Sequence, residues 1–314
     1  MILSSLFKYW RAQRRVLSLK SWLAVILRSS RVLLIPKQTQ ELFQLDSYRN
    51  YALRSIKPEP FHHLCRRDYL IAGQSMRQRS QCVLAHYQFE DAYFNPEYKR
   101  SVYLDPVGLI LWSKTVGDTS FAVRLALEVN APSEGDLRLT FLVNDQNLHR
   151  ISFSWVDGSI VGLPPVPTIF IGRNQGRARD GSNLHELFEA AFPQNSASFF
   201  CVYALQGVAQ ALDLKNVLGV KATSHIVYDE AAAIHFSNAY DAFWTGLGGV
   251  ELERGAYQLP LPFYSKPLSE VSPKHRKRSA SRRENWQEIS NATERALRDY
   301  RLTASTERDS LLEV

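Results

Sequence analysis

The sequence predicts an α+β fold, with a helical N-terminal region followed by a mixed, mostly antiparallel sheet with flanking helices. Three observations predict it. Apolar residues in the first hundred positions recur at spacings of three, four and seven, whereas between 121 and 155 they alternate at period two. Further on, the apolar runs Ile169-Phe170-Ile171 and Val217-Leu218-Gly219-Val220 are separated by a helical pattern of about forty residues, the length of a βαβ crossover between parallel neighbours.

The chain divides on this reading into a basic amphipathic segment at 1–38, a helical region at 39–100, an α/β core at 101–265 and a basic tail with a helix at 266–314. In the first segment Ile2, Leu3, Leu6, Phe7 and Trp10, then Leu19, Trp22, Leu23, Ile26 and Leu27, line up as the apolar side of one helix or two. Lys8, Arg11, Arg14, Arg15, Lys20, Arg28 and Arg31 supply a positive side. Residues 1–35 therefore suit an anionic membrane surface, or a helix that covers the body and leaves its arginines in water. The longest apolar run there, 22–27, is too short to span a bilayer.

Between 39 and 93 the pattern stays helical, broken at Pro58 and Pro60. His63, Cys65, Cys82 and His86 have only a loose likeness to zinc-ligand spacing, and no metal is expected; buried cysteines acting as small hydrophobes are the simpler reading. Three alternating strands follow, at 121–129, 137–143 and 151–155, joined by turn-forming residues, so an antiparallel meander is expected with an edge strand at 108–113 before it. A proline-rich link, 163–167, leads to the first apolar run. Helices are expected at 183–192, 199–212 and 239–247, then a hairpin at 251–259, after which Pro260, Pro262 and Pro267 mark departure from the compact body.

Composition narrows the classes. The 314 residues are 45% hydrophobic and 22% charged with a net charge of +7, an ordinary globular profile. The charge is uneven: residues 1–40 carry eight basic side chains and no acid, 273–283 carry six and no acid, and the stretch 41–272 has 20 basic against 24 acidic. An acidic body with positive ends argues against a nucleic-acid groove through the core. Three cysteines with no disulfide-framework spacing, Cys65, Cys82 and Cys201, fit a reducing cytoplasm, with the positive ends suited to the periphery of an inner membrane.

The functional reading centres on 172–177. Gly172 and Gly176 are expected to open a polar loop after the first apolar run, with Arg173, Gln175 and Arg177 beside it, and ligands of such units sit beyond the carboxyl ends of the strands. His225 follows the second run. His86, Tyr240 and Asp241 are the other groups that could take or give a proton at the same mouth.

Taken in order, several segments resemble the VirK/YbjX family of Gram-negative bacterial proteins. They are His86-Tyr87-Gln88-Phe89, Ile171-Gly172 with Gln175-Gly176, 204–207 through Leu218-Gly219-Val220, Tyr240-Asp241-Ala242-Phe243-Trp244 with Leu247-Gly248-Gly249, and the basic run 274–283. The resemblance implies a cytoplasmic protein associated with virulence, envelope integrity and antimicrobial-peptide tolerance, and implies no reaction. The order of elements is also similar to that of the Gcn5-related acyltransferases, and Arg173-x-x-Gly176-x-Ala178 fits that superfamily's pyrophosphate loop. That likeness implies an acyltransferase-like topology and an acyl donor, acyl-CoA or the phosphopantetheine of an acyl-carrier protein, held by Gly172, Arg173, Gln175, Gly176 and Arg177. Phe243 and Trp244 stand where its acid-donating tyrosine falls, with Tyr240 one turn earlier. The other class that the sequence supports is a non-catalytic peripheral membrane or partner-binding factor.

Overall fold

The period-two stretches pair as a meander that extends into one open sheet of eight strands. In the computed structural model, which describes residues 2–55, 64, 67–177 and 182–302, the strands are β1 (Leu109–Val116), β2 (Thr119–Leu127), β3 (Leu137–Val143), β4 (Gln146–Asp157), β5 (Pro167–Gly176), β6 (Val217–Val220), β7 (Val250–Leu252) and β8 (Ala256–Leu259). Their order in the sheet is β1-β2-β3-β4-β5-β6-β8-β7. All neighbours are antiparallel except β5 and β6, which are parallel as the crossover length requires. The sequence pattern sets the faces: Phe121, Val123 and Leu125 are buried, while Ala122, Arg124 and Ala126 between them are half-buried.

The helices are α1 (Ile2–Arg14), α2 (Leu19–Ser29), α3 (Pro36–Leu42), α4 (Met76–Tyr93), α5 (Pro96–Tyr103), α6 (Leu184–Ala191), α7 (Ala197–Ala211), α8 (Ala233–Ala239), α9 (Asp241–Gly246) and α10 (Pro273–Arg298). On one face of the sheet, Phe188 of α6 and Phe200 of α7 pack edge-on against Phe141 of β3. α7 is buried nearly all round because α10 lies along its back, burying Trp286, Ile289 and Leu297. A Cβ on Gly207 of α7 would fall inside the contact radius of the Ser290 carbonyl oxygen, so a glycine lets the two backbones meet. The run 274–283 and the helix expected after it are thus one continuous helix, packed on the body through its later turns.

Beside these helices α4 covers the far end of β4. It starts at a capping box, in which Ser75 Oγ accepts from Gln78 N–H and the Gln78 side chain accepts from Ser75 N–H. It seats Phe89 on Trp155, ring centroids 4.5 Å apart. Beside them Glu90 is fully buried, its Oε1 taking hydrogen bonds from Trp155 Nε1 (2.6 Å) and Tyr98 Oη (3.3 Å), and burial pushes its carboxyl up to about 8. At the N-terminus α1 and α2 form a helical hairpin, tied by Trp10 Nε1 to Ser29 Oγ (2.7 Å) and by Trp22 Nε1 to the Trp10 carbonyl (2.8 Å). No helix among the described residues is long and apolar enough to cross a membrane.

Candidate functional site at the parting of β5 and β6

The parallel pair is short. Ile169, Phe170 and Ile171 match Val217, Leu218 and Gly219, and there the register ends. Beyond it β5 continues to Gly176 along β4 alone, while the chain after β6 turns away through a 3₁₀ turn at Ala222–Ser224. Two features fix the divergence. Trp244 of α9 lies against Gly219, where any Cβ would collide with its ring, and its Nε1 donates to the Val220 carbonyl at 2.9 Å. Asp241, at the start of the same helix, accepts the Ala222 N–H at 2.8 Å and holds the turn. Asp241 is therefore a residue that positions the chain around the site.

Into the gap project His225 and Tyr240. The expected single helix at 239–247 is instead two, α8 and α9, broken at Tyr240, whose backbone (φ −120°, ψ −74°) turns the ring inward. Tyr240 Oη stands 2.9 Å from His225 Nε2 and 3.5 Å from the N–H of Asn174, an amide on the side of β5 that β6 has left. His225 Nδ1 accepts the Val227 N–H at 3.3 Å. Burial pulls the His225 imidazole down to about 4, with the Arg173 charge adding to the shift and a hydrogen bond with the Gly172 backbone opposing it. Burial raises the Tyr240 phenol, against the Asn174 N–H, which lowers it.

A cavity of about 290 Å³ opens beside this pair, with Glu134, Arg173 and Gln175 on one wall and His225, Tyr240 and Phe236 on the other. A second, of about 690 Å³, lies by the end of β5 against α6 and the start of α7, lined in part by His149, Gly176, His185 and Asn195. Asn174 links them. Its Oδ1 accepts from His149 Nε2 at 2.8 Å, while its backbone N–H reaches Tyr240. Among the described residues no group of His, Cys, Asp and Glu is arranged to hold a metal ion; His63 and Cys65 lie outside them.

The expected anion loop has a different form. Residues Arg173–Gly176 are strand, paired in register with Ser152, Ile151, Arg150 and His149 of β4, so this segment runs in a ladder and not as a free loop. Gly172 is the extra residue of a bulge between Ile171 and Arg173, and the Glu134 backbone occupies the space a Cβ would need. Arg173 pairs with Glu134 at 2.9 Å and also donates to Gln175. The Arg177 N–H goes to the Leu148 carbonyl at 2.8 Å. Gly176 alone of the expected cradle is open, its Cβ position meeting only His149 Nδ1 at 3.3 Å, on the rim of the larger cavity. Ala178 lies outside the described residues.

His86 is not at the mouth. It is fully buried under α4, with Nδ1 accepting the Trp155 N–H at 3.3 Å and Nε2 3.2 Å from Tyr103 Oη. Trp155 pairs with Ile169, two residues before the parallel register ends at Ile171, so His86 serves the sheet and not the gap. Of the residues singled out in the sequence, His225 and Tyr240 lie side by side here, while Asn174, His149 and Glu134, which the sequence reading did not single out, stand next to them. Asn174 did carry a signal: it is an amide side chain at a position that shares a sheet face with Ile151, an apolar context in which a polar group must find partners.

Comparison with known proteins follows the same outline. The profile described as "Protein of unknown function (DUF535)" matches residues 26–311. The chain is 26% identical over 223 residues to the Escherichia coli (strain K12) protein described as "Uncharacterized protein YbjX", an alignment covering 67% of this chain and 64% of that one. No solved structure matches significantly. With its sheet, crossover and C-terminal helix all inside the matched span, the chain belongs to the DUF535 family, to which the VirK/YbjX resemblance pointed.

Proposed function

We propose that the chain is an acyltransferase that works where β5 and β6 part, on a thioester donor, acyl-CoA or acyl-carrier protein. The observation that carries the reading is the Tyr240–His225 pair, set in the gap beside a cavity. The reading draws further support from the antiparallel run, the single parallel pair and the late hairpin whose second strand lies between β6 and the first, the kind of arrangement that the sequence likeness led us to expect. In the reaction an amine or hydroxyl attacks the thioester carbon, the carbon–sulfur bond breaks, and Tyr240 gives its proton to the departing thiolate. The tyrosinate left behind is held by the His225 Nε2–H and the Asn174 N–H, two donors already aimed at that oxygen. His235 lines the same cavity and takes the proton of the attacking group. With the loop donors spent, Gly176 and the larger cavity beside it receive the donor.

The test is donor binding and turnover by the full chain, with Gly176→Arg and Tyr240→Phe as variants. Gly176→Arg should abolish donor binding with little change in melting temperature. Tyr240→Phe should bind the donor and fail to turn it over. Failure of the unmutated chain to bind acyl-CoA or acyl-carrier protein ends the reading.

One observation favours a second role, attachment to an anionic membrane through α1 and α2. Leu3, Phe7, Leu19, Leu23 and Leu27 are each more than half exposed, among basic residues with no acid nearby. A transferase held at the inner face of a membrane would fit the envelope, virulence and peptide-tolerance roles that the VirK/YbjX resemblance implies. It would also suit a peripheral factor without catalysis, which the turnover assay separates.

A further inference from the structure

Four arginines share one face of the central sheet. Arg124 of β2 stands opposite Thr140 of β3, which stands opposite Arg150 of β4, which stands opposite Gln175 of β5. In the adjacent row Ala126, Arg138, Ser152 and Arg173 are matched in the same way. Directly opposed residues point to the same side, and so do residues two apart on one strand. Arg124, Arg138, Arg150 and Arg173 are therefore set in a staggered array, with strands roughly 5 Å apart, on the side turned away from Phe141 and α7.

Such an array is costly unless something negative meets it, and the protein supplies only part of that. Glu134 pairs with Arg173. Glu128 lies 3.5 Å from Arg138, but its carboxylate also accepts from Asn130 N–H, Ala131 N–H and Ser152 Oγ. Arg124 and Arg150, both half-buried, have no ion pair among the described residues. The Nε groups of Arg124 and Arg138 are shielded from solvent with no hydrogen-bond acceptor. Arg138 and Arg150 are each destabilised as cations by burial first and by their arginine neighbours as well.

The geometry points to a substrate site: this face binds the phosphoryl groups of the acceptor, a phosphorylated molecule whose nucleophile then reaches the cavity of Tyr240. Guanidinium groups take phosphate in two-pronged fashion, and an array this wide matches a diphosphate or two phosphate groups better than one carboxylate. The assignment to the acceptor rests on the transfer reading above. Arg173 lines the same cavity of about 290 Å³ as Tyr240, so phosphate bound here sits next to the reacting carbon. In an acyl-CoA the phosphates are held away from the thioester by the whole pantetheine arm, which makes the donor the wrong molecule for this position.

The experiment is calorimetric titration of the full chain with inorganic pyrophosphate at low ionic strength, with Arg124→Gln and Arg150→Gln made singly and together. Saturable binding is expected, weakened at least tenfold in the double variant. Because those two arginines repel their neighbours, each single variant should melt at the same temperature as the unmutated chain or above it when no anion is present. A structural role would instead lower the melting temperature and leave binding unchanged. Absence of saturable binding overturns the proposal, as does equal binding of citrate, which would show attraction to charge of any kind. Displacement of pyrophosphate by coenzyme A would give the face to the donor and overturn the acceptor assignment. Tyr240→Phe should bind pyrophosphate as the unmutated chain does, so loss of turnover and loss of this site are read separately.

Discussion

Tyr240 Oη lies 2.9 Å from His225 Nε2, and the other side of the imidazole decides which atom donates. Nδ1 accepts the Val227 N–H, so in the neutral ring the single proton is on Nε2, shared between the tyrosine oxygen and the Gly172 backbone. That oxygen also receives the Asn174 N–H. The tyrosine's own proton is the one left over, free to turn toward the cavity. The same tautomer leaves His225 with no lone pair to offer a substrate, so the role expected of it as base passes to holding Tyr240.

Tyr240→Phe removes the acceptor of two donors without changing shape. We expect a stability loss of about 1–3 kcal/mol, the usual cost of an unsatisfied buried donor, and a turnover loss of roughly 10²–10⁴-fold, typical of a missing general acid. Denaturant titration reads the first and single-turnover thioester cleavage the second. Full turnover with the stability loss present would make the pair structural only.

His149 and His225 should give the protein an acid-sensitive fold. Burial is the first cause of both shifts, and each imidazole falls from 6.5 to about 4. In the unfolded chain these rings bind protons below their ordinary value, while in the folded chain they resist down to about 4. Their contribution is thus complete above pH 6.5 and is lost as pH falls from 6.5 toward 4, by up to roughly 3 kcal/mol per ring. Unfolding free energy measured from pH 7 to 4.5 should fall, and His149→Gln should remove about one proton from the slope.

Glu90 acts with the opposite sign. Its carboxyl is raised from 4.5 to about 8, chiefly by burial, so the folded state keeps a proton that the unfolded state gives up. This contribution is complete below 4.5 and is lost as pH rises through 8. Glu90→Gln keeps an oxygen for Trp155 Nε1 and cannot ionise. The stability of the variant relative to the unmutated chain should therefore increase between pH 5 and 9, reaching several kcal/mol. Parallel stability curves over that range would show that Glu90 is not neutral in the folded protein.

The sheet was legible because its signals are local. Alternation at 121–129 and 137–143 fixes which residues face the core, and the distance between two apolar runs forces a parallel return. The site was only half legible. His225 and Tyr240 follow recognisable elements, but Gly172 looks the same in sequence whether it opens a loop or makes room for the Glu134 backbone, and that depends on a turn forty residues earlier in the chain. The arginine face was hidden for a similar reason. Arg124, Arg138, Arg150 and Arg173 are scattered over fifty residues and meet only through strand register, which periodicity does not set. The basic run 274–283 showed its charge and not its conformation: the helix expected after it begins at Pro273 and takes the run in, anchored by Trp286, Ile289 and Leu297, which come later.

Membrane attachment through α1 and α2 predicts a separation of charge from apolar contact. Leu19, Leu23 and Leu27 follow one another at intervals of four on α2, at 55%, 52% and 70% exposure, while Val25 on the same helix is buried against the protein. Replacing the three leucines by Gln should leave the melting temperature unchanged, since they have little contact to lose, yet remove insertion worth about 1.5–3 kcal/mol per side chain at full burial. Neutralising Arg11, Arg14, Arg15 and Arg28 should instead weaken the approach to anionic vesicles by ~1 kcal/mol per charge, an effect that salt mimics. Co-sedimentation with vesicles of anionic and of neutral lipid distinguishes the two sets. If the leucine variant sediments as well as the unmutated chain, the exposed side chains do not enter the bilayer. If it also changes the mass in solution, they cover a second copy of the chain.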